Sequence, residues 1–483
     1  MKTEKNIFYN VLLAVSQVLF PLITFPYLAR TLGPEHIGLI NFAESFAKYF
    51  VVLAALGIPI YGVREIAKHA DDMQKRSSIF WEVFGINLFC TILFSVLFYL
   101  SIQIAPTLHQ YASLFQWAIV YFVLQMFNLE WFFSGMGAFK FIALRSFFIR
   151  LLFILSVFIF IKSQSDYLKY MQMQVGLSLI LALINFVRLK KTVHYSKQVF
   201  AALNLKQHMQ PLLVLFLTIF SISIYFSLDT VLLGFLADNE SVGYYSTALK
   251  LTKLVIAVLS AISAAMFPSI MNYFHQKDFD KFNSLVQDGF FLLVSLSLPL
   301  VIVFCGCAPE IVEILFGTSF HRAILPLQIT SPLILIVSLS TIFGFQVLSA
   351  LAKDKLILLS AIYGMSISVV LSFLLVPVFK EMGSAIAILV TEIVVCASFL
   401  WFATKHYPMP QLMPIFKAQI KTMLPYILII LLGKYMISMV IIRLIFIATL
   451  SLIWFATYYV YLAPNNIYTL WLSKYLPINN HHK

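Results

Sequence analysis

Runs of about 20 mostly apolar residues follow one another along the whole chain, separated by short polar segments. They lie near 7–28, 37–60, 79–104, 112–133, 142–162, 169–187, 212–235, 245–271, 284–306, 323–350, 356–379, 383–404, 421–438 and 440–462. A run of this length crosses the hydrocarbon core as a helix, whereas barrel strands would show about ten residues of alternating pattern. The pattern predicts an all-α integral membrane protein with about 14 transmembrane helices. Lys434 and Arg443 interrupt the final apolar stretch, so its two helices are the least sharply marked.

Composition agrees with the pattern. Apolar residues make up 61% of the chain and charged residues 11%, against roughly 25% charged in a soluble domain. The first apolar run lacks a small-residue cleavage site, so it reads as a helix and not as a removable signal. With the N-terminus inside, segments 1–6, 61–78, 134–145, 188–211, 272–283, 351–355, 405–421 and 463–483 face the cytoplasm and hold most of the 33 Lys and Arg. Both termini are then cytoplasmic. The net charge of +13 follows from this inner-face bias and its attraction to anionic membrane lipids, with no role for nucleic acid. Cys90, Cys305, Cys307 and Cys396 lie in or at the ends of apolar runs and read as packing residues. C-x-C is neither a zinc nor a thioredoxin spacing.

The pattern also repeats. Residues 205 positions apart align Glu35-His-Ile-Gly38 with Glu240-Ser-Val-Gly243, Ala43 with Ala248 and Lys48 with Lys253. In both places an apolar helix is followed by a short acidic turn and a helix with a lysine about ten residues in. Weak self-similarity between halves is a mark of transporters. A shift of six helices keeps both halves in one orientation. The expected organisation is a six-helix lobe over 1–205, a second over 206–410, and two extra helices with a tail over 411–483. Pro21 and Pro26 in the first run favour a kink there.

Six charges fall at similar depth inside predicted spans: Glu44 and Lys48 one turn apart, Lys250 and Lys253, Asp229 and Glu392. Each would cost roughly 2.5–3.5 kcal/mol facing lipid, so they face a wet cavity or one another. As ion pairs, Glu44 would join Lys48 and Asp229 would join Lys250. Arg150 lies deeper than Arg145, which can snorkel to the interface, and Glu130 can pair with either. Arg64 and Glu65 form either a surface pair or a gate. Asp71-Asp72 and His481-His482 are too sparse for a metal site. No Walker A, H-E-x-x-H or G-x-S-x-G is present, so neither ATP hydrolysis nor a cofactor is expected. Short outer loops argue against a membrane glycosyltransferase or polymerase, and the chain is not expected to be an enzyme.

The stretch PLITFPYLARTLGPEHIGLINFAES, followed by LGIPIYGVREIA, resembles the N-terminal signature of bacterial O-antigen (Wzx-type) flippases of the multidrug/oligosaccharidyl-lipid/polysaccharide exporter superfamily. The resemblance implies two six-helix lobes about a central cavity and two C-terminal helices. It implies transfer of an undecaprenyl-diphosphate-linked oligosaccharide from the inner to the outer leaflet, upstream of a polysaccharide polymerase and chain-length regulator. Carried over by position, the cavity cations fall on Lys48, Lys250 and Lys253, with Arg30 at the P-Y-L-x-R turn. Arg150 joins them as a candidate substrate contact, and Glu44, Asp229 and Glu392 are the acids placed to carry a coupling ion. The alternatives are a multidrug exporter of the same fold and a membrane-embedded polymerase or ligase.

Overall fold

The computed structural model describes residues 2–194, 204–462 and 468; parts of the expected inner segments 188–211 and 463–483 therefore lie outside the described residues. The chain divides into two compact units, Met1–Gly243 and Tyr244–Lys483. In the first unit the helices are α1 (Lys2–Ala55), α2 (Ile58–Lys68), α3 (Met73–Ile104), α4 (Pro106–His109), α5 (Ala112–Gln125), α6 (Glu130–Gly135), α7 (Phe139–Phe160), α8 (Tyr167–Leu189) and α9 (Lys206–Leu236). Helix α10 (Asn239–His275) leads into the second unit. There follow α11 (Phe279–Gly306), α12 (Ala308–Phe316), α13 (Ile324–Thr330), α14 (Leu333–Ser340), α15 (Asp354–His406), α16 (Met413–Lys421), α17 (Leu424–Met436) and α18 (Val440–Thr457). No strand occurs among the described residues.

Eleven helical segments among the described residues are long and apolar enough to cross a membrane, as a multi-pass membrane protein requires. Two are broken. Helix α1 changes course at Gly33, with φ 75° and ψ 171°, so the first two expected spans join end to end there. Pro21 and Pro26 lie inside regular helix; the expected kink falls instead at Gly33-Pro34, where glycine tolerates positive φ and proline's missing N–H does not matter. Helix α15 is 53 residues long, about 80 Å if straight, and it breaks at Lys380 (φ 49°). Helix α9, 31 residues long, is a further long helix; the sequence expects it to open the second lobe, and it packs within the first unit against α1 and α2.

Other expected spans are divided. The second ends at Ala55, where Leu56 (φ 42°) and Gly57 (φ 81°) turn the chain into α2. The span near 112–133 is α5 and α6 with left-handed Leu129 between them. The span near 323–350 is assembled from α13, α14 and a π-helical turn over Thr341–Leu348. Apolar content fixed where these spans lie, while local backbone chemistry set where they bend.

The core of the first unit is aromatic. Phe46 stacks edge-on against Phe98 and Phe115 at 5.1 and 6.1 Å, tying α1 to α3 and α5. A second cluster of Ile66, Phe80, Phe132 and Phe133 joins α2, α3 and α6. Edge-to-face pairs add about 0.5–1.5 kcal/mol each beyond burial, so the helices that carry the polar groups below stand in a fixed frame. Cys90 and Cys307 are buried, as packing residues are; Cys305 is exposed.

Candidate functional site

Past Gly33, the second half of α1 brings Glu44 and Lys48 to one face, one turn apart. Arg150 on α7, Tyr121 and Gln125 on α5, and Tyr170 and Gln174 on α8 face the same space. Together they line a cavity of about 660 Å³ inside the first unit, within the size range of small-molecule sites. The Gln174 side-chain amide donates to the Glu44 carboxylate, so α8 fixes its orientation. The Tyr170 ring meets the Phe153 ring edge-on at 5.8 Å. Glu44 and Arg150 are half-buried and Lys48 is exposed. The wall thus holds two cations, one oriented carboxylate, two phenols, two amides and the Ser178 hydroxyl beside apolar Val51, Ile149, Phe153, Leu177 and Leu181. Such a site suits an anion that carries hydrogen-bonding groups.

The structure brings together Glu44, Lys48 and Arg150. Arg30 is exposed at the end of the first half of α1 and does not line the cavity. Asp229 is 2% exposed on α9 and interacts electrostatically with Tyr49. Lys250 is half-buried and Lys253 exposed on α10, in the second unit. Glu392 is buried on the second half of α15, beside Cys396.

Arg145 corrects an expectation. It does not snorkel: it is 4% exposed and donates to the Asn128 carbonyl at 3.1 Å and to the Asn185 side chain. Phe141 and Phe133 lie against its guanidinium at 5.5 and 5.9 Å. These partners cross-brace α6, α7 and α8, a packing role that two asparagines in apolar runs could have signalled. Glu130 is exposed. Glu65 pairs with Lys68 at 2.6 Å on the surface of α2, while Arg64 is exposed.

Tyr121, Gln125, Tyr170, Gln174 and Ser178 were missed in the sequence. The available signal was spacing: Tyr121 and Gln125 are i, i+4, and Tyr170, Gln174 and Ser178 recur every four residues on an apolar helix, marking one polar stripe. A second cavity of about 380 Å³ in the same unit is acidic, with Glu35, Asp238 and Glu240 on its wall.

The family model described as polysaccharide biosynthesis protein matches residues 4–274, and that described as MatE matches residues 214–378. A putative O-antigen transporter of Escherichia coli (strain K12) is 27% identical over 406 residues, covering 84% of this chain and 98% of that protein. A putative O-antigen transporter of Shigella dysenteriae is 23% identical over 396 residues, 81% of this chain and 98% of that protein. Among solved structures, the lipid II flippase MurJ in its inward closed conformation superposes with a TM-score of 0.70 at 12% identity, covering 95% of this chain and 100% of that one. At that identity the likeness establishes a shared fold.

Proposed function

We propose, from the premise that this chain belongs to the polysaccharide biosynthesis protein family, that it is a flippase. It moves undecaprenyl-diphosphate-linked oligosaccharide units from the inner to the outer leaflet of the bacterial cytoplasmic membrane for surface polysaccharide synthesis. The observation that carries this reading is the cavity in which Lys48 and Arg150 face an oriented Glu44 and a polar wall of Tyr and Gln. A diphosphate headgroup is matched by cations, with Arg150 able to bind two oxygens at once and Lys48 acting as a point charge. Sugar hydroxyls are matched by side chains that both donate and accept. The names of the full-length relatives support the same class of substrate.

The chain is read as 14 spans in two pseudo-symmetric lobes, 1–205 and 206–410, with two helices and a tail over 411–483, and both termini cytoplasmic. Lys250, Lys253 and Arg30 are further proposed headgroup contacts. Glu44, Asp229 and Glu392 are the proposed carriers of a coupling proton or sodium ion. The exported unit would pass to a polymerase and its chain-length regulator. The MatE match favours a multidrug exporter as the second reading, but cationic drugs are poorly suited to a cavity walled by Lys48 and Arg150.

The test is a deletion strain examined for surface glycan. Loss of a flippase leaves no displayed units, loss of a polymerase leaves single units, and loss of a drug exporter changes drug susceptibility with glycan intact. Display of single units or of full-length glycan in the deletion strain contradicts the proposal.

A further inference from the structure

Away from the cavity, three titratable side chains meet where α2, α3 and α9 converge. The Tyr61 hydroxyl lies 2.6 Å from His208 Nδ1, and His208 Nε2 lies 2.6 Å from Glu82 Oε2. The three are 8%, 3% and 2% exposed, respectively. Glu82 also accepts from the Asn204 backbone N–H at 2.8 Å, the Gln207 amide at 3.1 Å and the Ser78 hydroxyl at 3.4 Å. Donors on both oxygens suit an ionised carboxylate, which can only accept. Nε2–H of His208 then donates to Glu82. Nδ1 has two options: it accepts from the Tyr61 O–H when the ring is neutral, or it carries a proton and donates to the Tyr61 oxygen when the ring is charged.

The two states differ by one proton on Nδ1 and by net charge, −1 against 0. An unbalanced charge in so dry a place is costly, whereas an imidazolium–carboxylate pair is neutral overall and joined by a charge-assisted bond. We propose that Tyr61, His208 and Glu82 form a proton-binding site that ties α9 to α2 and α3. The proton arrives from water onto Nδ1 and tightens the tie. When the helices part, the ring is hydrated and Nδ1 returns the proton to water. This site is separate from Glu44, Asp229 and Glu392, and it rests on the flippase reading only in giving the tie a place in a transport cycle.

Other charged groups on the helices around it are engaged elsewhere or exposed. On α2, Glu65 is bound to Lys68 and Arg64 is exposed. On α3, Arg76 donates to the carbonyls of Thr192 and Ala70 and Lys75 is exposed. Lys206 on α9 and Glu130 on α6 are exposed.

Hydrogen exchange of the purified full-length protein in lipid nanodiscs, read by mass spectrometry and corrected for intrinsic rates, tests this without substrate. In the wild type, amides of α2 and the first turns of α9 should be about tenfold more protected near pH 6 than near pH 8, the scale of one charge-assisted hydrogen bond. His208→Gln and Glu82→Gln should abolish that pH dependence. Tyr61→Phe leaves the imidazole–carboxylate pair in place and removes only the hydroxyl, so the dependence should persist with a displaced midpoint. Protection that ignores pH in the wild type, pH dependence retained in His208→Gln, or an unmoved midpoint in Tyr61→Phe would each overturn the proposal. None of these results bears on whether the chain transports glycan.

Discussion

Gly38 and Gly243 make reciprocal backbone contacts. A Cβ on Gly38 would fall 1.7 Å from the Asn239 carbonyl oxygen, and a Cβ on Gly243 would fall 2.0 Å from the Pro34 carbonyl oxygen. Adding 205 to the residue numbers of Gly38 and Pro34 gives Gly243 and Asn239. Each contact is therefore the repeat-related copy of the other, as across a local two-fold axis. Glu35 and Glu240, the matched acids of the two turns, line one cavity beside this crossing.

Gly38→Ala and Gly243→Ala should each destabilise the protein by about 3 kcal/mol or more, because the obstructing atom is backbone and cannot rotate away. Gly176 on α8 has open space around it. Its alanine variant should be neutral, or slightly stabilised by about 0.5–1 kcal/mol from helix propensity. Thermal unfolding of the three purified variants checks this. Similar melting temperatures for all three would contradict the close-approach account.

The turns were legible in the sequence because glycine at both repeat positions coincided with acids three residues earlier. The spans were legible because hydrocarbon demands long apolar runs whatever their neighbours. The charge pair Glu44 and Lys48 was legible for the converse reason, as a cost inside an apolar run. What escaped was contact between distant segments. Nothing near Glu44 in sequence points to Tyr170 and Gln174, and nothing near Glu82 points to His208. The break at Lys380 was legible as well, since the apolar runs expected over 356–379 and 383–404 leave it between them.

In the second unit, Glu310 is 3% exposed and accepts from Arg443 at 2.9 Å, with Lys434 at 3.9 Å. The two cations that interrupt the final apolar stretch thus converge on one buried acid. Arg443→Ala should cost about 3 kcal/mol by stranding the Glu310 charge. Adding Glu310→Gln should recover most of the loss in a double-mutant cycle of melting temperatures. Purely additive losses would mean that the pair is not coupled.

Arg322 grips Glu381 with two bonds of 3.0 Å, from Nε and Nη2, one residue after the break at Lys380. Because Arg322 is half-exposed, Arg322→Ala should cost about 2 kcal/mol. Arg322→Lys should recover only part of it, since lysine cannot form the fork. Full recovery by lysine would show that charge alone holds the joint.

Reporter fusions test the proposed topology. A fusion at His69 should read cytoplasmic and one at Asn239 external. Gln198, the third informative position, lies outside the described residues and should read cytoplasmic. An external reading at His69 or Gln198 would reverse the inner-face assignment.

The central claim is that Lys48 and Arg150 hold an anionic headgroup in the cavity that Glu44 borders. The most direct measurement is surface-glycan display in a deletion strain that expresses each variant at wild-type protein level. Lys48→Arg and Arg150→Lys should retain partial display. Lys48→Ala and Arg150→Ala should each lose about tenfold or more, the scale of one charge-assisted contact. Lys48→Glu and Arg150→Glu should abolish display by repelling the phosphates. Should Lys48 serve only to balance Glu44, adding Glu44→Ala to Lys48→Ala would restore display. That restoration, or wild-type display by the Lys48→Ala/Arg150→Ala double variant, would contradict the account; continued failure of Lys48→Ala with and without Glu44→Ala is the result it predicts.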